Sequence, residues 1–249
     1  MAPLAVLVFG LVIGSFLNVV IARLPAGRSV WGPRSACPAC GAVIAWRDNV
    51  PVLSFIALRA RCRACAARIV WRYPIVEIAT ALLFLASYVR FGPCLELVWA
   101  VVLLASLVAI TGIDIDHQII PDVITLPGIA AGVLANLALP GRSVIDSLCG
   151  IGLGGGIFFA IILVSGGGMG GGDMKLGAML GAFLGWRLAL VALFVAVVVG
   201  GLAAVAVLAA GRKGRKDPMP FGPFLAVGGA VALFWGQGLL TWYVNAFAG

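Results

Sequence analysis

Residues 188–210 read LALVALFVAVVVGGLAAVAVLAA, a run in which no side chain carries a charge or a hydrogen-bonding group. Its length matches the roughly 20 apolar residues that an α-helix needs to cross a bilayer. Comparable apolar runs fall at 4–21, 74–90, 95–113, 122–139, 147–164, 173–186 and 221–246, the sixth of these being short for a span. Across all 249 residues, 63% are hydrophobic and only 10% are charged, whereas a soluble domain carries about a quarter charged residues. Composition and patterning therefore predict an all-α polytopic membrane protein with about eight transmembrane helices.

The formal charge is +8, and its distribution points to topology rather than to nucleic-acid binding. Nine arginines (Arg23, Arg28, Arg34, Arg47, Arg59, Arg61, Arg63, Arg68 and Arg72) lie in the one long polar segment, 22–73. Arg212, Lys213, Arg215 and Lys216 lie in a second loop, 211–220. Basic loops stay on the cytoplasmic side. Eight spans place the loops at 22–73, 114–122, 165–173 and 211–220 on one side, so the two basic loops agree. No basic residue precedes the first apolar run, and no small-residue cleavage site follows it. That pattern predicts a retained anchor with its N-terminus outside.

The polar segment carries two cysteine pairs, Cys37-Pro38-Ala39-Cys40 and Cys62-Arg63-Ala64-Cys65. Both have metal-ligand spacing, and the only histidine, His117, lies far away, so four-thiolate zinc is the natural occupant. Thiols on the cytoplasmic side stay reduced, which makes disulfides the weaker alternative. A four-cysteine site leaves no open position for water, so its expected role is structural: to fold a segment too poor in apolar residues for a core. Cys94 and Cys149 are isolated and read as packing residues.

Nine acidic residues leave few candidates for chemistry in the membrane. Asp114, Asp116 and Asp122 follow the third apolar run, Asp173 opens the sixth, and Glu77 opens the second; the first four fall close together in the topology. The block Asp114-Ile115-Asp116-His117-Gln118-Ile119-Ile120-Pro121-Asp122 ends one helix and restarts another at Pro121 or just after. Asp173 follows Gly166-Gly167-Gly168-Met169-Gly170-Gly171-Gly172, a run that allows close backbone approach. Two aspartates brought together in a partly dry site do not both ionise comfortably, so one keeps its proton while the other is a carboxylate. That arrangement suits peptide hydrolysis. The same residues are open to two other readings: helix caps with partners for Lys175, or carboxylates of an ion-coupled transporter. A transporter would favour inverted repeats, which the chain does not display.

Taken in order, the motifs resemble the bifunctional type IV prepilin peptidases (leader peptidase and N-methyltransferase), membrane aspartyl proteases of the Gly-x-Gly-Asp class. The resemblance runs through Gly14-Ser15-Phe16-Leu17-Asn18, Arg23-Leu24-Pro25, Cys37-Pro38-Ala39-Cys40-Gly41, Asn49-Val50-Pro51-Val52-Leu53-Ser54, Arg72-Tyr73-Pro74-Ile75-Val76-Glu77, the Asp114–Asp122 block and Gly170-Gly171-Gly172-Asp173-Met174-Lys175. It implies a catalytic pair of Asp114 and Asp173, with Asp116, Asp122, Gly170, Gly172 and Lys175 in support. Asp122 is expected to cap the next helix. It further implies a prepilin or pseudopilin substrate cut at the cytoplasmic face of the bacterial inner membrane, and methylation of the new N-terminus by S-adenosylmethionine. The implied organisation is a first transmembrane helix (1–21), a cytoplasmic zinc-binding segment associated with methyl transfer (22–73) and a membrane peptidase core (74–249). Methyl-donor contacts are not legible; Glu77 and the Asn49–Ser54 stretch are guesses.

Two departures stand out. Many members have Leu-Arg-Gly before the third cysteine where this chain has Leu58-Arg59-Ala60, and Asp48 stands where glutamate is common. If that glycine serves a positive φ or a close approach to the cofactor, Ala60 weakens methylation and leaves the peptidase untouched.

Overall fold

The computed structural model describes residues 1–165, 170–211 and 219–247. The Gly166–Met169 part of the glycine run and the basic residues Arg212, Lys213, Arg215 and Lys216 lie outside the described residues. Among the described residues eight α-helices follow one another: α1 (Ala2–Arg23), α2 (Leu53–Ala57), α3 (Arg72–Phe91), α4 (Leu95–His117), α5 (Asp122–Ala138), α6 (Val144–Ser165), α7 (Gly171–Ala209) and α8 (Gly222–Phe247). Six of them are long and apolar enough to cross a membrane; α2 is a single turn and α5 is shorter than a full span.

Helix α7 holds two of the expected spans. Its 39 residues would reach about 58 Å at 1.5 Å per residue, far more than a ~30 Å hydrocarbon core. It is broken at Gly185, whose φ of 76° and ψ of 168° are non-helical and essentially restricted to glycine. With α7 taken as two segments, the apolar helical segments number eight, as the sequence predicts. The break frees backbone carbonyls inside an apolar environment, where each must find a donor. Asn136 Nδ2 and Ser147 Oγ both donate to Ala182 O at 2.7 Å, and Arg142 Nη1 donates to Phe183 O at 3.1 Å.

The chain divides into two compact units, Met1–Ala109 and Ile110–Gly249. In the first, α1 packs on α3 along a glycine seam. A Cβ at Gly10 would fall 2.6 Å from Ala81 Cα, and one at Gly14 would fall 2.6 Å from Glu77 Cα. Asn18, buried in that seam, donates to Tyr73 O at 3.1 Å. In the second unit the first half of α7 is the core: Leu176 through Gly185 are all buried, the pattern of a helix covered on every side. Gly150 and Gly154 of α6 meet Gly181 and Gly177 of α7 backbone to backbone, while Gly152 and Gly156 face open space. Of the five α6 glycines, Gly150 and Gly154 make the close helix contact that small residues permit in a membrane.

Candidate active site and metal-binding insertion

Asp114 lies in the last turn of α4 and is only 4% exposed. Its Oδ2 accepts the backbone N–H of Gly222 at 2.8 Å. Gly222 is the first residue of α8, so that helix spends one of its unpaired N-terminal donors on the carboxylate. A Cβ at position 222 would stand 2.7 Å from the same oxygen. Gly222 was not among the sequence candidates. The signal for it was Pro220-Phe221-Gly222-Pro223, a helix-start pattern after the second basic loop.

Asp173 sits in the first turn of α7, half-buried. Gly170, the cap of that helix, accepts the Asp173 N–H at 3.1 Å, and its own N–H hydrogen-bonds the Asp173 carboxylate. Asp114 and Asp173 belong to the same compact unit, at the end of α4 and the start of α7.

The supporting residues are placed differently. Asp122 is exposed and occupies the first turn of α5, whose cap is Pro121 with no side-chain cap bond. The expected capping role is therefore replaced by an ion pair: Lys175 Nζ lies 2.6 Å from both carboxylate oxygens of Asp122. Gly172 packs against Ile120, and a Cβ there would be 2.8 Å from Ile120 Cβ. These two contacts clip the 118–122 connection to the helix that carries Asp173. Gly170 has open room on its Cβ side, with Asp173 Oδ2 at 3.8 Å. Asp116 is exposed on the last turn of α4.

In the insertion, the thiols of Cys37, Cys40, Cys62 and Cys65 all lie within 4.8 Å of one another. Tetrahedral zinc with ~2.3 Å bonds needs sulfurs roughly 3.8 Å apart, and Cys37 and Cys65 stand at 3.9 Å. The four residues fit a zinc site. Two matching knuckles build it: Cys37 N–H to Ala42 O with Gly41 N–H to Cys37 O, and Cys62 N–H to Ala67 O with Ala66 N–H to Cys62 O. Each knuckle turns through a positive φ, 72° at Gly41 and 57° at Ala66. The Cys40 and Ala39 N–H groups aimed at its sulfur bring the Cys37 thiol down to about 7. Arg63 braces the second knuckle by gripping Asp48 with two bonds of 2.6 and 2.8 Å, which holds that carboxyl below its usual range. Ala60 has a φ of 58°, the conformation for which glycine is the relaxed residue.

A helical membrane protein with a buried aspartate at a helix end and a four-thiol insertion is the class that fold and site define. Residues 8–91 match the profile of the Bacterial Peptidase A24 N-terminal domain, and residues 101–205 match that of the Type IV leader peptidase family. The chain belongs to the type IV leader peptidase family. A relative from Myxococcus xanthus (strain DK1622) is 45% identical over 218 residues, which cover 84% of this chain and 64% of that protein. One from Aeromonas hydrophila is 38% identical, covering 97% of this chain and 93% of its own. One from Bacillus subtilis (strain 168) is 35% identical, covering 97% and 98%. All three carry the name prepilin leader peptidase/N-methyltransferase. No solved structure matches the chain.

Proposed function

We propose that the protein removes the leader of a prepilin or pseudopilin with Asp114 and Asp173 as its catalytic pair, then methylates the new N-terminus. What supports the peptidase half is that a buried Asp114, held by the Gly222 N–H, and a half-buried Asp173 sit at helix ends linked through the Gly172–Ile120 and Lys175–Asp122 contacts. One carboxylate takes a proton from water, whose oxygen adds to the scissile carbonyl. The other, protonated, donates to the carbonyl oxygen. The tetrahedral species then breaks its C–N bond, and the departing amine takes up a proton. The two carboxyls titrate as a pair, so base and acid are roles of the dyad. Asp122, Lys175, Gly170 and Gly172 hold the two helix ends in register.

The names of the relatives support methyl transfer, with S-adenosylmethionine supplying the methyl group when bound. Zinc is the metal that four thiolates favour, and it would fold the insertion without taking part in chemistry. The basic insertion supports a cytoplasmic site in the inner membrane with the N-terminus outside. The division into 1–21, 22–73 and 74–249 assigns anchor, methyl-transfer part and peptidase core. A peptidase without methylation is the second reading, favoured by Ala60 at positive φ. Incubating purified protein in lipid with a prepilin and S-adenosylmethionine, with products read by mass spectrometry, separates these readings. Leader loss plus one methyl group supports the first, and leader loss alone supports the second. An intact prepilin contradicts both.

A further inference from the structure

A strained turn sits where the insertion meets α3. Val52 has φ 60° and ψ −47°, and the Leu53 N–H closes on Pro51 O at 2.5 Å. Positive-φ γ-turns of this kind are rare and strained. A β-branched residue at positive φ persists only where its surroundings over-determine it. Here the Val52 N–H donates to Glu77 Oε2 at 2.8 Å, and Ser15 also hydrogen-bonds that carboxylate. Glu77 is only 7% exposed and has no basic partner among the described residues. Burying a carboxylate without a counter-cation is costly. In the same seam the buried Asn18 keeps Oδ1 without a hydrogen-bond partner.

The turn ends a wall that is fixed along its length. Buried Ser54 accepts the Val50 N–H at 2.9 Å and donates to Arg47 O at 3.0 Å, and the Arg63–Asp48 pair holds the preceding turn. On this wall Trp46 stands 84% exposed. With Arg34, Ser35, Ile44 and Asn49 it lines a groove of about 180 Å³. An exposed indole on a rigid turn offers a face for a flat ring, Arg34 a cation for a carboxylate, and Asn49 an amide for a polar ring edge. The groove is smaller than the roughly 300–1,000 Å³ that enclose a whole ligand, so it suits the planar end of one.

We propose that this groove binds the methyl donor, an adenosyl sulfonium amino acid, with its base on Trp46, and that Glu77 is a positioning residue holding the groove wall through Val52. The proposal rests on the methyltransferase reading above. The test is equilibrium binding of S-adenosylmethionine and S-adenosylhomocysteine to the zinc-loaded full chain in lipid nanodiscs, with zinc content and leader cleavage measured on the same samples. Trp46→Ala is expected to weaken binding of both by about tenfold or more, as for a lost base–aromatic stack. Trp46→Phe should recover most of it, with zinc content and cleavage unchanged. Glu77→Ala is expected to weaken binding similarly, while Glu77→Gln, which keeps an acceptor for the Val52 N–H, stays within about threefold. Trp31→Ala, exposed but outside the groove, binds like wild type. Wild-type affinity in Trp46→Ala, from a protein that does methylate, overturns the groove and leaves the methyltransferase reading standing. Wild-type affinity in Glu77→Ala overturns its positioning role. A wild type that neither binds the donor nor methylates overturns both the groove and the methyltransferase reading.

Discussion

Gly222 donates its backbone N–H to Asp114 Oδ2 at 2.8 Å, tying the first residue of α8 to the last turn of α4. No side chain has room there, since a Cβ would approach that oxygen to 2.7 Å. Gly222→Ala must displace the carboxylate or the helix start. Leader cleavage is expected to fall on the order of a hundredfold, the usual penalty for a misplacement near 1 Å. Steady-state cleavage beside a thermal-unfolding curve checks this, and wild-type cleavage would show that the close approach has no catalytic consequence.

The Lys175–Asp122 pair joins residues 53 positions apart, two residues beyond Asp173. Its Lys175 side chain is 32% exposed and that of Asp122 52%, so its share of global stability is small, about 1 kcal/mol or less. Its effect on the site is expected to be larger. Lys175→Ala and Asp122→Ala should each lower cleavage roughly tenfold by loosening the α7 start, and the double variant should cost little more than either alone. A fully additive double variant would contradict the clip.

The class of fold and the four-cysteine cluster were legible in the sequence because apolar runs and cysteine spacing are local signals. A boundary between the runs 173–186 and 188–210 was legible too; its exact place at Gly185 was not, because one glycine among many is singled out only by Asn136, Ser147 and Arg142 meeting the freed carbonyls. Gly222 was missed for a similar reason: its N–H matters only through Asp114, 108 residues away. Asp122 read as a helix cap because Asp before a helical run is a common cap. The helix begins one residue earlier in register, and Lys175 claims the carboxylate instead.

The four-thiol cluster makes metal removal a direct test of the insertion. One zinc per chain is expected, and a strong chelator should release it with new proteolytic cuts confined to residues 24–70, because segments of this size rarely fold without their metal. Cys37→Ala should show the same cuts without chelator. An insertion that stays protease-resistant after complete zinc loss would show that the metal is not what folds it.

The two knuckles differ at their left-handed turn: Gly41 and Ala66 occupy equivalent positions, with φ of 72° and 57°. A left-handed alanine costs roughly 1–2 kcal/mol, partly offset by the greater unfolded-state freedom of glycine. Ala66→Gly is expected to stabilise the insertion by about 0.5–1 kcal/mol, read as a higher chelator concentration for half-release of zinc. Ala60→Gly, at φ 58°, is expected to act in the same direction and to raise methylation without altering cleavage. A lower release midpoint in either variant would contradict the strain assigned to these turns.

The central claim, that Asp114 and Asp173 act as one catalytic pair, is tested most directly by leader cleavage of a prepilin by the purified protein in lipid. Wild type is compared with Asp114→Asn and Asp173→Asn. Each substitution keeps the size of the side chain and removes the titrating carboxyl, so each variant should remain folded and lose cleavage almost completely. Normal cleavage by either folded variant would contradict the pair and turn attention to Asp116 and Asp122.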